Sequence, residues 1–140
     1  MIRRVPVTRR TLATAMVVVL GSVALPGGAF AATARSALQA LDPDRDGTVS
    51  LAEAKAAATR LFTRLDRDHD GTLDRRELRG RMVSKEFGAA DGDHDGTLDK
   101  AEYLAAVEKA FKAADRDNDG TLDAKELSSA QGRALLRLLR

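Results

Sequence analysis

The chain has 140 residues, of which 31% are charged and 44% are apolar, a balance typical of one small soluble domain. It contains no cysteine, which excludes disulfide bonds, zinc–thiolate sites and a lipid-modified cysteine at the N-terminus. Lysine and arginine number 23 against 21 acids, but every acid lies at or after Asp42. We therefore analyse the first part of the chain separately from the rest.

Residues 1–31 have the pattern of a secretory signal peptide. Four arginines precede an apolar run from Leu12 to Leu25, and Ala29-Phe30-Ala31 provides the small residues of a cleavage site. The run is shorter than the ~20 residues that span a bilayer, which favours a cleaved leader over a retained anchor. We expect a mature domain of residues 32–140, with no transmembrane segment, in the periplasm or outside the cell. The Arg9-Arg10 pair leaves both the Sec and the twin-arginine export routes open.

A twelve-residue pattern occurs four times after this leader. Its copies span residues 42–53, 66–77, 91–102 and 115–126, called loops 1 to 4, and each has Asp at positions 1, 3 and 5, Gly at 6 and Glu at 12. Positions 1, 3, 5, 9 and 12 hold 19 of the 21 acids, a placement too selective for a merely solvated surface. Calcium is a hard cation that takes six to eight oxygen ligands, and glycine permits the sharp turn of such a loop.

The pattern predicts one Ca²⁺ ion in each loop, and therefore four per chain. We expect the carboxylates of positions 1, 3, 5 and 12, the carbonyl oxygen of position 7, and position 9 directly or through a water to bind the ion. The predicted metal ligands are Asp42, Asp44, Asp46, Thr48, Ser50, Glu53, Asp66, Asp68, Asp70, Thr72, Asp74, Glu77, Asp91, Asp93, Asp95, Thr97, Asp99, Glu102, Asp115, Asp117, Asp119, Thr121, Asp123 and Glu126.

Between the loops, apolar residues recur at helical spacing. Residues 54–65 leave too little chain between loops 1 and 2 for two stable helices and a turn. We expect one helix to leave one loop and enter the next, so that loops 1 and 3 pair at one end of a bundle and loops 2 and 4 at the other. Gly80 and Gly88 could break the second of these helices. Position 8 of the loops favours a short strand, and a bulky apolar residue stands four places before each loop: Leu38, Phe62, Phe87 and Phe111.

The loops and the phenylalanines before them resemble the EF-hand calcium-binding proteins, over about residues 36–127. The pattern resembles a secreted or periplasmic bacterial type of this family, with four closely spaced loops. Dockerins have repeats of similar length but only two loops. The resemblance implies an all-α fold, an array of short helices joined by four twelve-residue calcium loops. The helices shared between consecutive loops follow instead from the close loop spacing, in which this chain departs from familiar paired EF-hands. It also implies calcium binding without catalysis.

Two functions remain open: a calcium-stabilised binding module or buffer, and a calcium-switched sensor that binds a protein or an anionic surface. Removing the four leader arginines leaves 19 cations against 21 acids, a net charge of −2, and four Ca²⁺ ions would change it to +6. The sequence has no nucleophile motif near His69 or His94, no phosphate loop and few aromatics, which argues against an enzyme and against nucleic-acid binding. Residues 133–140 are rich in Leu and Arg, as expected of an exit helix of loop 4 that closes the core or of a basic amphipathic patch.

Overall fold

The computed structural model describes residues 27–140, with side chains from residue 32, and most of the predicted signal peptide lies outside this range. Six helices and four two-residue strands occur among the described residues. The helices are α1 (Gly27–Leu41), α2 (Leu51–Leu65), α3 (Ser84–Ala90), α4 (Lys100–Ala114), α5 (Ala124–Ser128) and α6 (Ala130–Leu139). The strands are β1 (Val49–Ser50), β2 (Thr72–Leu73), β3 (Leu98–Asp99) and β4 (Thr121–Leu122).

Two of the helices connect consecutive loops directly, as predicted. Helix α2 leaves loop 1 and enters loop 2, and helix α4 does the same between loops 3 and 4; each has 15 residues. Each ends where the first aspartate of the next loop donates its N–H to a phenylalanine carbonyl, Asp66 to Phe62 and Asp115 to Phe111, both at 2.9 Å. At 1.5 Å per residue, such a helix holds its two loops about 22 Å apart.

The connection between loops 2 and 3 is broken instead of helical throughout. Residues 75–81 form hydrogen-bonded turns, in which Gly80 has a φ of 80°. Val83 is extended, with φ −83° and ψ 157°, and α3 begins after it. Glycine takes a positive φ at little cost, so the chain reverses at Gly80, one of the two glycines expected to be able to break this helix. Gly88, the second possible break, lies inside α3.

This reversal decides which loops pair. Strand β1 pairs antiparallel with β4, and β2 pairs antiparallel with β3, so loop 1 lies beside loop 4 and loop 2 beside loop 3. The predicted pairing of loops 1 with 3 and 2 with 4 is wrong, because it assumed three straight helices in succession. With the middle connection reversed, α2 and α4 run in opposite directions along one bundle.

A single hydrophobic core lies between the helices and the paired strands. All four position-8 residues are fully buried, and Tyr103 is 0% exposed. The Tyr103 ring lies 5.8 Å from that of Phe62, and its hydroxyl donates to the Leu138 carbonyl at 2.7 Å. Burial raises the pKa of Tyr103 to about 12, so the phenol keeps its proton and this hydrogen bond near neutral pH.

The C-terminal segment closes the core, but as a helix separate from the exit helix of loop 4. Helix α5 is that exit helix, and Ser129 then caps α6 by accepting the N–H of Gly132 at 3.0 Å. A Cβ atom on Gly132 would lie 2.1 Å from the Glu126 carbonyl oxygen, so only glycine allows α5 and α6 to approach this closely. Four leucines of α6 are buried: Leu135, Leu136, Leu138 and Leu139. Across residues 27–140, no helix has the length and apolarity needed to cross a membrane.

Candidate metal centres

The backbone of each loop turns at two left-handed residues. The sequence predicts one of these residues, the glycine at position 6, and all four glycines have φ between 86° and 92°. Position 4 is also left-handed, which sequence reasoning missed: Arg45, His69, His94 and Asn118 have φ of 57–62°. Asn and His are enriched in this conformation, so three of these four residues gave a usable signal. Both histidines are exposed.

The first aspartate of each loop is buried at the end of the entering helix. Asp42, Asp66, Asp91 and Asp115 are only 5–9% exposed. In every loop its Oδ2 accepts the N–H of the position-6 glycine, at distances from 2.9 to 3.2 Å. A buried carboxylate is unfavourable unless it is paired with donors or a cation. These four aspartates therefore direct negative charge into the loop interior.

Positions 5 and 7 form a second repeated contact. The position-5 aspartate Oδ1 accepts the N–H of the position-7 threonine at 2.8 Å in all four loops. The same oxygen accepts the threonine hydroxyl at 2.7–2.8 Å. In loop 3 the hydroxyl and the N–H of Thr97 hold the pKa of Asp95 below its ordinary value. The hydroxyl is thus used within the loop, and the carbonyl remains the predicted ligand of this residue.

Positions 9 and 12 are joined by a reciprocal capping contact that sequence reasoning also missed. In loop 3, Asp99 Oδ1 accepts the N–H of Glu102 at 2.7 Å, and Glu102 Oε2 accepts the N–H of Asp99 at 3.0 Å. The same exchange occurs in the other three loops, with Ser50 in the place of aspartate in loop 1. An Asp or Ser three residues before a Glu is the sequence signature of such a cap. Position 9 thus caps the exit helix of loops 1, 3 and 4 and the turn that follows loop 2, as well as being a predicted ligand.

The structure brings three carboxylates together in each loop, with one ligand atom of each within 4.8 Å of the others. Loops 1, 3 and 4 gather positions 1, 3 and 12, whereas loop 2 gathers positions 1, 3 and 5. Glu77 of loop 2 follows strand β2 in the hydrogen-bonded turns, without a regular exit helix. The gathered groups are Asp42, Asp44 and Glu53; Asp66, Asp68 and Asp70; Asp91, Asp93 and Glu102; Asp115, Asp117 and Glu126. The remaining predicted ligands lie in the same loops but outside these groups.

Each loop also holds one buried carboxylate oxygen with no hydrogen-bond partner. These oxygens are Glu53 Oε1, Asp66 Oδ1, Asp91 Oδ1 and Asp115 Oδ1. A buried acceptor left without a partner costs about 1–3 kcal/mol, and more when it is charged. A cation in each loop would satisfy the unpaired oxygen of that loop, and the all-oxygen donor set is the one that Ca²⁺ prefers. The residues present therefore fit a calcium ion.

The oxygen without a partner belongs to the final glutamate in loop 1, whereas it belongs to the first aspartate in the other three loops. In loops 2 to 4 the N–H of position 2 (Arg67, Gly92 or Arg116) donates to Oε1 of the final glutamate at 2.7–2.8 Å. Loop 1 has Pro43 at this position, which has no N–H, and Glu53 Oε1 has no partner.

The first aspartate of loop 1 is bonded more extensively than its counterparts. Its Oδ1 accepts the N–H groups of Arg45 and Asp46, at 2.5 and 3.2 Å. Burial opposes ionisation of Asp42, but the N–H groups of Gly47, Arg45 and Asp46, together with Asp44, hold its pKa below the ordinary value. A hydrogen bond shared with Asp42 raises the pKa of Asp44. In loop 1 without a cation, Asp44 is therefore easier to protonate than an ordinary aspartate.

Comparison with known protein families agrees with this geometry. A family model described as EF hand matches residues 59–83, 85–107 and 106–129, which together make up half of the chain. Each matched stretch contains one complete loop, in order loops 2, 3 and 4, and loop 1 lies outside the matched residues. A search of curated proteins gave no significant match.

Proposed function

Because this chain belongs to the EF-hand family, we propose that it is an exported calcium-binding module in which each of the four loops holds one Ca²⁺ ion. The observation that carries this proposal is the unpaired buried carboxylate oxygen present in every loop. Four such oxygens destabilise the metal-free fold and are satisfied when calcium binds. Calcium therefore acts first as a stabiliser of this fold, since a ligand that binds only the folded state adds to its stability.

The core supports a stabilised module more than a sensor. Calmodulin-like sensors expose a groove rich in methionine when calcium binds. Here the four buried leucines of α6 already cover the core, and Met82 is the only methionine of the predicted mature chain. Among the described residues, Val83 is the one large apolar side chain that is mostly exposed, at 57%. EF-hand proteins typically bind calcium without catalysing a reaction, and we propose no enzymatic activity.

The test is a calorimetric calcium titration of residues 32–140, with circular dichroism in calcium and in chelator. We expect about four ions per chain, one for each acid cluster. At a calcium concentration of 100 times the Kd, each site adds about 2.7 kcal/mol to the free energy of unfolding. Helicity and melting temperature should therefore rise together. A stoichiometry of two ions or fewer, or a melting temperature that chelation leaves unchanged, would contradict the proposal.

Export is a separate part of the proposal, supported by the sequence of residues 1–31. Cleavage after Ala31 would fall inside α1 and leave residues 32–41 as the entering helix of loop 1. N-terminal sequencing of protein recovered outside the cytoplasm should begin near Ala32. An intact Met1 in that fraction would contradict export with cleavage.

The second candidate is a calcium-switched sensor, which the calculated charge change from −2 to +6 favours. Ions bound in the loops would neutralise most of the acids and leave the arginines and lysines to dominate the outer field. Binding to anionic vesicles, measured with and without calcium at several salt concentrations, separates the two candidates. Binding that requires calcium and weakens with salt supports the sensor, and equal binding in chelator supports the module.

A further inference from the structure

A groove of about 460 Å³ lies between α3, α4 and α6, away from the gathered carboxylates of loops 1, 2 and 4. Half of the residues that line it are alanines, and we call it the alanine groove. Its lining residues are Met82, Lys85, Glu86, Ala89, Ala90, Glu102, Ala105, Ala106, Lys109, Ala110, Ala113, Gln131, Ala134 and Leu138. An apolar cleft with a few polar groups at its edge is the usual form of a small-molecule site.

The size of the groove limits what can occupy it. Alanine side chains are short, so α4 presents a recessed apolar floor at Ala106 and Ala110, both partly buried. Small-molecule sites commonly have volumes of about 300–1,000 Å³. An α-helix is 10–12 Å in diameter, so three turns of it occupy on the order of 1,300 Å³, more than twice the groove. A single extended alkyl chain is thin enough to lie inside it.

The charges at the edge of the groove favour an anionic ligand. Glu86 is engaged, since it lies 3.7 Å from Arg137 and accepts the N–H of Val83 at 3.1 Å. Glu102 is engaged as well, by the N–H groups of Gly92 and Asp99 in loop 3. Lys85 and Lys109 are exposed, and neither forms an ion pair within residues 32–140. The edge therefore offers two unpaired cations, whereas both of its acids already have partners.

We propose that the alanine groove binds a single-chain anionic amphiphile, a long-chain fatty carboxylate. The alkyl chain lies on the alanines of α3, α4 and α6, and the carboxylate is attracted by Lys85 and Lys109. The apolar contact supplies most of the affinity because it removes alkyl surface from water. The lysines select a charged head group over a neutral one.

The test is a calorimetric titration of the full mature chain with dodecanoate at micromolar concentration, in calcium, with circular dichroism to check that each variant is folded. We expect one dodecanoate per chain. Dodecyl maltoside has the same chain and an uncharged head, and it should bind more weakly. Chain length should matter, with affinity falling about twofold to fourfold for each methylene removed, as expected for a partly to fully buried chain.

Five variants, in two sets that each include a control, locate the ligand. Lys85→Gln and Lys109→Gln should each weaken dodecanoate binding about twofold to fivefold, the range for an exposed ion pair. Lys100→Gln, an exposed lysine of α4 outside the groove, should leave it unchanged. Ala105→Leu fills the groove from an exposed position, should keep α4 helical, and should weaken binding at least about tenfold, since it displaces several methylenes of the ligand. Ala101→Leu, exposed on α4 but outside the groove, is its control.

The proposal fails if folded protein does not bind dodecanoate, or if Ala105→Leu and Ala101→Leu bind it equally well. It also fails if dodecyl maltoside binds as tightly as dodecanoate. An acidic amphipathic peptide that competes with dodecanoate and binds more tightly would show that the groove is a protein-docking site and would overturn the choice of ligand. None of these results depends on the number of calcium ions bound, so the calcium proposal is tested independently.

Discussion

Loops 1 and 3 have the same three aspartates and the same final glutamate, yet their carboxylates are held differently. In loop 3 the N–H of Gly92 fixes Glu102 Oε1 at 2.7 Å, and Asp91 Oδ1 is the oxygen without a partner. In loop 1, Pro43 cannot donate, so Glu53 Oε1 has no partner and Asp42 is bonded by the backbone instead. A residue outside the predicted ligand set thus decides which carboxylate the backbone holds in the metal-free loop.

From this difference we expect loop 1 to bind calcium the most weakly of the four predicted sites. Its final glutamate lacks the donor to Oε1 that the glutamates of loops 2 to 4 have, because the N–H and the hydroxyl of Ser50 both bond Glu53 Oε2. Its first aspartate is already satisfied, so calcium gains less by meeting it. It also has four acids where the others have five, because position 9 is Ser50. Ligand charge is one of the factors that set calcium affinity in such loops.

The largest effect should come from removing the final glutamate in each loop. Glu102→Gln should lower the stoichiometry from about four ions to about three and remove a tight site, because an amide cannot chelate calcium as a two-oxygen anion. Glu53→Gln should remove the weakest binding phase instead. Calorimetric titration distinguishes the two phases. Loss of the same phase in both variants would show that loops 1 and 3 are equivalent.

Exchanging the residues at position 2 should interconvert the two arrangements. Gly92→Pro removes the donor to Glu102 Oε1 and should destabilise the calcium-free fold by about 1–2 kcal/mol, the net value of a hydrogen bond to a charged group less the stiffening of the unfolded chain by proline. Gly92→Ala keeps the N–H and is the control, since its Cβ would lie an acceptable 3.4 Å from Glu102 Oε1. Pro43→Ala supplies the missing N–H donor, which should add about 1 kcal/mol to the free energy of unfolding. Removing proline stabilises the unfolded chain by a similar amount through its conformational entropy, so we expect little net change in stability.

These position-2 variants are compared by urea unfolding in chelator. Equal stability of Gly92→Pro and Gly92→Ala would show that the N–H of Gly92 contributes nothing to the metal-free loop.

The residue at position 9 should change calcium affinity by a smaller amount. Ser50→Asp adds a fifth acid to loop 1 and keeps a side chain that can cap α2, as Asp99 caps α4. We expect loop 1 to bind calcium a few times more tightly at low salt, with the gain shrinking as salt is added. Asp99→Ser is the reverse substitution in loop 3 and should lower its affinity. A gain that is independent of salt would indicate a packing effect and not one of charge.

The smallest expected effect is a difference in the response of the two loops to acid. The pKa of Asp44 is raised by its hydrogen bond with Asp42. The protonated side chain therefore stabilises the calcium-free fold at a pH below its ordinary pKa of 3.8, and this contribution is lost as the pH rises through the raised pKa. The pKa of Asp95 in loop 3 is lowered by Thr97, so its ionised form stabilises the fold above 3.8 and loses that effect only as pH falls through the lowered pKa.

Loop 1 should therefore release calcium at a higher pH than loop 3 when the protein is acidified. Glu102→Gln, which retains loop 1, and Glu53→Gln, which retains loop 3, can be titrated with calcium at about pH 7 and about pH 5 to compare the loss of each phase. A phase from loop 3 that weakens first would contradict this order.

The candidate sites follow closely from the sequence because their information is local. The aspartates, glycine and glutamate of each loop lie within twelve residues, and the position-8 residues form the predicted strands. The capping contact between positions 9 and 12 and the left-handed turn at position 4 are equally local. The Asp-x-x-Glu spacing indicates the capping contact. The histidine or asparagine at position 4, in His69, His94 and Asn118, indicates the left-handed turn.

The sequence by itself determined the four loops, their expected ligands and the helices that join loops 1 to 2 and 3 to 4, because each depends on neighbours within about one helix length. Only the tertiary structure decided that loop 1 pairs with loop 4 and loop 2 with loop 3. That choice depends on the direction of the chain after Gly80, and a single reversal there exchanges the partners of every loop. It also decided the position of α6 and the presence of the alanine groove, since both arise where helices distant in sequence pack together and leave space between them.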